Sequence, residues 1–451
     1  MSSKRIVLYY PQFKYRVNDR GWHRFPYAVW ALVPGLLKAG FEVEVYDGRV
    51  DSPEATRAAI ANDPPLFVGI SAITGLQLKD AMKMATYVRS VSPKIPIVWG
   101  GWHVTVTPEE SAKEPLVDYL IAGRAEDAIV KLAQDLESGT THDKITQVGV
   151  GCPFTELPFD RINLDKYGAI WGYLTSFGCI FSCTFCAIDR VYKRRVFYKP
   201  MDQVISELKY VVDNYHGPMT GRIIQIQIDD DLFFANKKRV EEFCVRWNNY
   251  HNIPMEVLSH VNIMDKYSDE QWDMLYQGGF RRVLIGAESG NQVILDRLNK
   301  KFQTPKKMLD FCTRAAKHNL GVDLSCMTGF WDSDDLNDFE DTVRFLNQAM
   351  SINPNVQWKL FWVHPYPGTA LFKEFIDRGY YMPRTMKEWS DYNLRRAPMW
   401  VSQELEDKFN FFTLQFMPAV ERQKVRWQWQ DFIQSFEQAV SMNQIYVQRS
   451  N

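Results

Sequence analysis

The feature that most constrains the fold is a regular alternation of short apolar runs with amphipathic stretches, laid out in two series. In the first series, strand-like runs fall at 6–10, 41–46, 66–70, 95–99 and 117–121. Helical patterns at 28–38, 53–61, 76–90 and 126–136 separate them. Strands that alternate with helices of this length form βαβ units and a parallel sheet. The fold class expected is therefore α/β, with residues 1–140 as a Rossmann-like domain of flavodoxin type. Ligands of such sheets lie outside the carboxyl ends of the strands. The segments there are 11–26, 71–75 and 100–107, and they are rich in Gly, Trp and His.

A polar, Pro-containing stretch at 141–168 breaks the pattern and is expected to be a linker with a short hairpin. The second series starts at 171–177 and continues with strand-like runs at 223–228, 255–258, 282–285, 322–326 and 357–363. Helical patterns at 202–215, 237–250, 269–277, 305–319 and 336–350 lie between them. Six βα units make a partial (β/α)6 barrel over 169–385, whose site belongs at the carboxyl ends of the strands. Residues 386–451 are expected to be helical, and the amphipathic stretch 421–440 reads as a scaffold or a lid over the barrel mouth.

Composition excludes several classes. With 46 % hydrophobic and 24 % charged residues, the chain has the makings of a globular core and not of a disordered segment. Lys plus Arg (53) balances Asp plus Glu (54), so no basic excess argues for a nucleic-acid partner. The longest apolar stretch, 28–37, is interrupted by Pro34. A membrane span needs roughly 20 residues. The apolar run at 6–10 is too short for a signal peptide, and a cytoplasmic location is expected.

Seven cysteines are too few for a disulfide framework. Three of them, Cys179, Cys183 and Cys186, form a C-x3-C-x2-C pattern in SFGCIFSCTFCAID, directly after the first strand of the second series. Three thiolates at such spacing can hold three irons of a [4Fe–4S] cube and leave the fourth open to bind a substrate. The alternatives are a zinc site or three unrelated core thiols. Zinc wants a fourth nearby ligand, and the surroundings offer only Asp189 and the distant His216. The scattered Cys152, Cys244, Cys312 and Cys326 read as small buried hydrophobes. Cys326 falls near a strand end that could face the barrel lumen.

On these residues the chain resembles the radical S-adenosylmethionine (SAM) enzymes, in particular the subgroup with an N-terminal cobalamin-binding domain. The resemblance runs through Phe372. It implies a [4Fe–4S] cluster on the three cysteines, with the open iron chelating SAM and Phe185 lying by the adenine. IDDDLFFANKK is similar to the family's acidic pair and Asn-Lys-Lys, which places Asp230, Asp231 and Asn236. LIGAESG implies that Glu288 binds the SAM ribose hydroxyls, with Ser289 nearby. HPYPGTALF resembles the family's Pro-Gly-Thr turn. Taken alone, the Asp run could be a solvated turn or a helix N-cap, Glu288 a loop residue, and Pro367-Gly368 an ordinary turn.

The resemblance also implies a corrin between the two domains, contacted by Ser71, Thr74 and Gly75 of GISAITG and by Gly100 and Gly101 of WGGWHVTVTPEE. Tight strand-to-helix turns would explain the same glycines. The D-x-H-x-x-G motif that supplies a cobalt ligand elsewhere is absent from 1–140, so His23 and His103 suit surface or corrin-edge roles, and Leu76 and Gln77 are candidates for the position under cobalt. GRAED at 123–127 departs from the Gly-Glu-Gly-Glu-like stretch of relatives. Trp22, Trp99, Trp102, Trp331, Trp358 and Trp362 suit either a water-poor cavity or core packing.

The activity implied is cleavage of SAM to a 5′-deoxyadenosyl radical, then cobalamin-dependent methylation of an unactivated carbon in a small biosynthetic intermediate. The electron would come from a reductant such as flavodoxin or ferredoxin. The alternatives are a radical dehydratase, cyclase or rearrangement enzyme that transfers no methyl group, or a non-enzymatic iron–sulfur or corrin carrier. Methylthiotransferases carry three further cysteines in the N-terminal domain, and none precedes Cys152 here. Enzymes with auxiliary clusters need cysteines after the barrel, and none follows Cys326.

Overall fold

The computed structural model describes residues 4–12, 23–151, 154–392, 396–419 and 428–441. Cys152, Trp22 and residues 421–427 of the expected C-terminal helix lie outside the described residues. Contacts divide the chain into two compact units. One comprises Met1–Phe181, Cys186–Asp230 and Tyr366–Asn393; the other comprises Ser182–Phe185, Asp231–Pro365 and Leu394–Asn451. No helix among the described residues is long and apolar enough to cross a membrane.

The first unit is built on strands β1 (Arg5–Tyr10), β2 (Glu42–Asp47), β3 (Phe67–Ser71), β4 (Ile97–Gly100), β5 (Tyr119–Ala122) and β6 (Ile145–Gln147). They form one parallel sheet in the order β2-β1-β3-β4-β5-β6. Both faces are covered, which is why the strands read as near-continuous apolar runs. Ile6, Leu8, Phe67, Val98 and Ile121 pack on the side of Leu36 and Leu132. Val7, Val68, Ile70, Ile97 and Trp99 pack on the other side with Leu78, Ala81 and Ala85 of the helix Leu76–Val91.

Two expectations are corrected here. Among the described residues, the stretch 141–168 holds no hairpin: β6 pairs parallel with β5, and Phe159–Arg161 and Leu164–Lys166 are 3₁₀ turns. The helix Glu126–Ser138 supplies the crossover that a parallel pair requires, so the run after it lengthens the sheet instead of folding back on itself. The helical pattern at 28–38 also splits, into Tyr27–Trp30 and Val33–Lys38. Pro34 stands in the first turn of the second piece, where its missing N–H costs nothing.

Later segments return to this unit. Met386 and Trp389 of the short helix Met386–Ser390 join the core beside Leu76–Val91. Trp389 Nε1 donates to Glu110 (2.9 Å) and Met386 N to Glu114 (3.0 Å). Strands β7 (Ile170–Tyr173) and β10 (Gln225–Ile228) pair parallel, while β8 (Ser176–Phe177) and β9 (Phe197–Tyr198) pair antiparallel. A buried ion pair, Lys199 to Glu207 (2.6 Å), fixes the first helix of this series, Met201–Asn214. Tyr173 donates to the same Glu207 oxygen (2.7 Å), and Gln203 to the other (2.7 Å).

The second unit carries β11 (Met255–Ser259), β12 (Phe280–Glu288), β13 (Gly321–Thr328) and β14 (Val356–Trp362), parallel and adjacent in that order. Its helices start on side-chain caps: Asn236 before Lys237–Trp247, Ser268 with a capping box before Asp269–Gln277, and Thr304 before Pro305–Lys317. Asp338, wholly buried at the start of the helix Asp338–Ile352, accepts from Ser289 (2.9 Å), Thr328 (2.7 Å) and Ser333 (3.0 Å). It thereby ties the ends of β12 and β13 to that helix. In the C-terminal region, Phe432 and Phe436 of the helix Trp429–Ser441 pack on Phe411.

Two stability measurements test this framework. Lys199→Met strands Glu207 as a buried charge and should cost about 3–5 kcal/mol in urea unfolding. Lys199→Met/Glu207→Leu should recover most of that loss. Burial pushes the Asp338 carboxyl up to about 6 against the hydroxyls that hold it down. The folded state thus holds this proton more tightly than the unfolded chain, whose Asp titrates near about 4. The stability it contributes is complete below about pH 4 and lost as pH rises through about 6, about 3 kcal/mol in all. Asp338→Asn should flatten that part of the stability profile; identical profiles in mutant and parent would show that folding leaves this ionisation untouched.

Candidate functional site

The three clustered cysteines lie on one closed loop. The pairings Ser176↔Tyr198 and Phe177↔Phe197 bring its two ends together. Gly178 then adopts φ 91°, and a Cβ there would collide with the carbonyl oxygen of Arg195, so only glycine allows the neck to close. Cys179, Cys183 and Cys186 are half-buried, whereas Cys244, Cys312 and Cys326 are buried. Burial pushes the Cys244 and Cys312 thiols up to about 12, and it pushes the Cys326 thiol well above its ordinary value, with the Glu288 charge adding to the last. Those three thiols stay protonated in the core. Among the described residues, no group of three or more His, Cys, Asp or Glu is gathered as a metal site. The fit to an iron–sulfur cluster therefore rests on the donor set: three soft thiols, accessible, on one loop.

Within the second unit, the middle of that loop is pinned to the chain just after the helix Gln292–Arg297. Thr184 donates from its N to Leu298 O and from its hydroxyl to Arg297 O (both 3.2 Å), and Asn299 donates to Ser182 O (3.0 Å). Lys300 follows, its ammonium 5.8 Å from the centre of the Phe185 ring and 2.7 Å from Glu288 Oε1. Phe185 and Glu288, both expected to serve SAM, are thus joined through Lys300, a residue that no sequence signal singled out. Glu288 is buried and holds φ 65° at a register shift between β12 and β13. A left-handed glutamate is a rare conformation that persists only where its surroundings enforce it. Here Lys300 holds the carboxylate and also donates to Gly286 O (2.7 Å). His260 is kept neutral by burial and by Lys300, its pKa lowered to about 3.

The other expected SAM residues have different surroundings. Asp230 is wholly buried, and its carboxylate accepts from Thr175 N (2.6 Å), Thr175 Oγ1 (2.6 Å) and Ser176 Oγ (2.5 Å). It fixes the turn that leads from β7 into the cysteine loop. Ser289 is also wholly buried and bonded to Asp338. Asp231 is half-buried, and Asn236 is exposed at its helix cap. Asp229, outside the expected pair, meets Arg24 at 2.7 Å, and burial raises its carboxyl to about 6. The Pro-Gly-Thr turn packs Gly368 against the guanidinium of Arg190, in the helix Ile188–Tyr192 that follows the cysteines.

In the N-terminal sheet, Ser71, Thr74, Gly75, Gly100 and Gly101 gather at the ends of β3 and β4. Gly101 is required by the chain itself: it has φ 92°, and a Cβ would lie 2.6 Å from Ala72 O. A Cβ on Gly100 meets nothing within 4 Å, so this is the glycine that leaves room for a ligand. His103 is not at the surface; it is wholly buried, with Nδ1 on Thr74 Oγ1 at 3.0 Å and Nε2 without a partner. Burial lowers its pKa to about 4, so the ring is a neutral hydrogen-bonding group. An open glycine beside a buried, unmatched ring nitrogen fits a large polar ligand such as a corrin. Gln77 bonds Ile73 N (2.8 Å) and Pro11 O (3.1 Å), which makes it a brace for the loop and leaves Leu76 beside it half-buried. The departure GRAED places Arg124 over the Phe177 ring at 4.0 Å and against Glu126. Trp99 and Trp362 are core residues, the latter stacked on Phe409 at 4.0 Å.

Comparisons with known proteins agree with this arrangement. The family model for the B12 binding domain matches residues 25–133, and that for the radical SAM superfamily matches 173–346. An uncharacterized methyltransferase of Pyrococcus horikoshii is 27 % identical over 372 residues, which cover 77 % of each chain. The bacteriochlorophyllide d C-12(1)-methyltransferase of Chlorobaculum tepidum is 24 % identical over 67 % of this chain and 64 % of its own. Among solved structures, the radical SAM methyltransferase TsrM of Kitasatospora setae, with cobalamin and a [4Fe–4S] cluster bound, superposes with a TM-score of 0.65 at 16 % identity. That match covers 83 % of this chain and 75 % of TsrM, and it shows a shared fold. With a B12 binding domain followed by a radical SAM domain, the chain belongs to the radical SAM enzymes that carry an N-terminal cobalamin-binding domain.

Proposed function

We propose that this protein is a cobalamin-dependent radical SAM methyltransferase that acts on an unactivated carbon of a small biosynthetic intermediate. The observation that carries the SAM assignment is Glu288, a buried carboxylate held in left-handed backbone beside Lys300 and Phe185. The methyl-transfer assignment is supported by the B12 binding domain and by the relatives named methyltransferases. When bound, the [4Fe–4S] cluster supplies the electron that cleaves SAM, and cobalamin supplies a methyl carrier.

The chain's own residues bind and orient. Cys179, Cys183 and Cys186 hold the cluster as thiolates. Glu288 presents acceptor oxygens to the SAM ribose hydroxyls, Lys300 fixes the carboxylate in place, and Phe185 offers an apolar face to the adenine. Asp231 serves the same pocket. Asp230 and Ser289 act one step back, Asp230 on the turn before the cysteines and Ser289 on the end of β12. Ser71, Thr74, Gly75, Gly100 and His103 contact the corrin, and Gly101 shapes their turn. A one-electron reductant such as flavodoxin or ferredoxin serves the protein in the cytoplasm.

Anaerobic reconstitution and product analysis test this reading. Replacing all three cysteines with Ala should remove bound iron and the visible absorbance; retention of four irons would overturn the ligand assignment. Glu288→Gln should weaken SAM binding by about 1–3 kcal/mol, roughly 5- to 150-fold in Kd. Equal affinity in mutant and parent refutes the role given to that carboxylate. Gly100→Trp should block titration with hydroxocobalamin while iron content is unchanged. A parent protein that binds no corrin at micromolar concentration removes the methyltransferase reading altogether.

A further inference from the structure

A run of three consecutive cations that this function leaves unused lies at the neck of the cysteine loop. Lys193, Arg194 and Arg195 lie between the helix Ile188–Tyr192 and β9, and all three are exposed. Lys193 and Arg194 stand consecutively in left-handed backbone, with φ 51° and 58°. The turn is tied down by Lys193 N to Asp189 O (2.9 Å) and by Arg195 N to Tyr192 O (3.0 Å). On its other side, the Arg195 backbone lies against Gly178, the residue before Cys179. A disfavoured backbone, enforced from both sides, thus fixes three cations at the surface next to the first cysteine. Ile180, on the other side of Cys179, is 48 % exposed and adds an apolar side chain. Arg190 is excluded from this group because its guanidinium packs on Gly368.

We propose that this turn is the docking surface for an acidic one-electron carrier protein. The inference rests on the proposed function, which requires an electron at these cysteines. One electron leaves the reduced carrier, which is oxidised, and enters the cluster, which is reduced; no bond forms or breaks in this step. Arg194 Nε lies 3.5 Å from Asp189 Oδ1, which offsets one of the three charges. The formal charge of the whole chain is only −1, so attraction at this face comes from the cationic surplus that the local run retains. Such a patch steers an acidic partner and raises its association rate. An apolar residue with a charged rim matches the small interfaces of transient redox complexes.

The test is stopped-flow reduction of the reconstituted full-length protein, read as bleaching of the cluster absorbance. The reductants are photoreduced flavodoxin, which is acidic, and in a separate series dithionite. The variant is K193N/R194N/R195Q, because Asn tolerates left-handed backbone. At low salt its reduction by flavodoxin should be slower by at least about tenfold, and the salt dependence seen in the parent should flatten. Its iron content and dithionite rate should match the parent. Equal flavodoxin rates overturn the proposal, and so does equal slowing with both reductants, which would place these residues at the cluster and not at a docking surface. If the triple variant loses iron, R194E decides: slowing with flavodoxin alone by at least about threefold supports the proposal, and no change overturns it. A parent that assembles no cluster would instead refute the proposed function.

Discussion

Parallel strands can be joined only by crossovers, and that constraint sets where chemistry is possible in this chain. Crossovers cover the faces of the sheet, so its central strands β1, β3 and β4 are sealed in apolar contacts and the backbone is free to vary at strand ends. In the first unit those ends hold the Ser71–Gly75 and Gly100–His103 segments. In the second, the end of β12 holds Glu288 and the end of β13 holds Thr328. Few residues are available there for a ligand, and each also has to close a turn. Gly101 does the second task and Gly100 is left for the first.

That double demand explains why buried polar side chains around the site bond so often to the chain itself. A carboxylate at a strand end, such as Asp230 with three donors from Thr175 and Ser176, can be buried only because every donor is supplied locally. Asp338 does the same for Ser289, Thr328 and Ser333. The consequence is rigidity at the neighbouring residue. Glu288 sits in a conformation that a glutamate would leave if it could, and Lys300 with the Ser289–Asp338 bond holds it there. Binding groups held in place before the ligand arrives lose less freedom when it does.

Much of this was legible in the sequence. Period and spacing located the strands and most helices, because burial of parallel strands leaves a strong apolar signature. The three cysteines and the strand-end residues stood out by chemical type. What the sequence could not show was partnership. Lys300 lies in an unremarkable LNKK run, and only the chain path brings it to Glu288 and Phe185. His103 suits a surface or a corrin-edge role by sequence, and nothing local announces that it is wholly buried. The stretch after residue 140 looked like a hairpin because its polar, Pro-containing composition hides a three-residue edge strand, and edge strands carry little apolar signal.

The cysteines show how place, more than residue type, decides chemistry. Iron needs thiolate, and a thiol surrounded by apolar side chains cannot readily lose its proton. Cys244, Cys312 and Cys326 are surrounded in this way, and their thiols are pushed far above neutrality. Cys326 lies beside the Glu288 site, where a stray thiolate could compete for metal or react with a radical; burial and the Glu288 charge both keep it protonated. The loop thiols escape this fate because Gly178 and Arg195 close the loop at its neck and leave its cysteines half-buried. The same packing that silences three thiols therefore leaves the other three accessible, which is what the cluster ligands proposed here have to be.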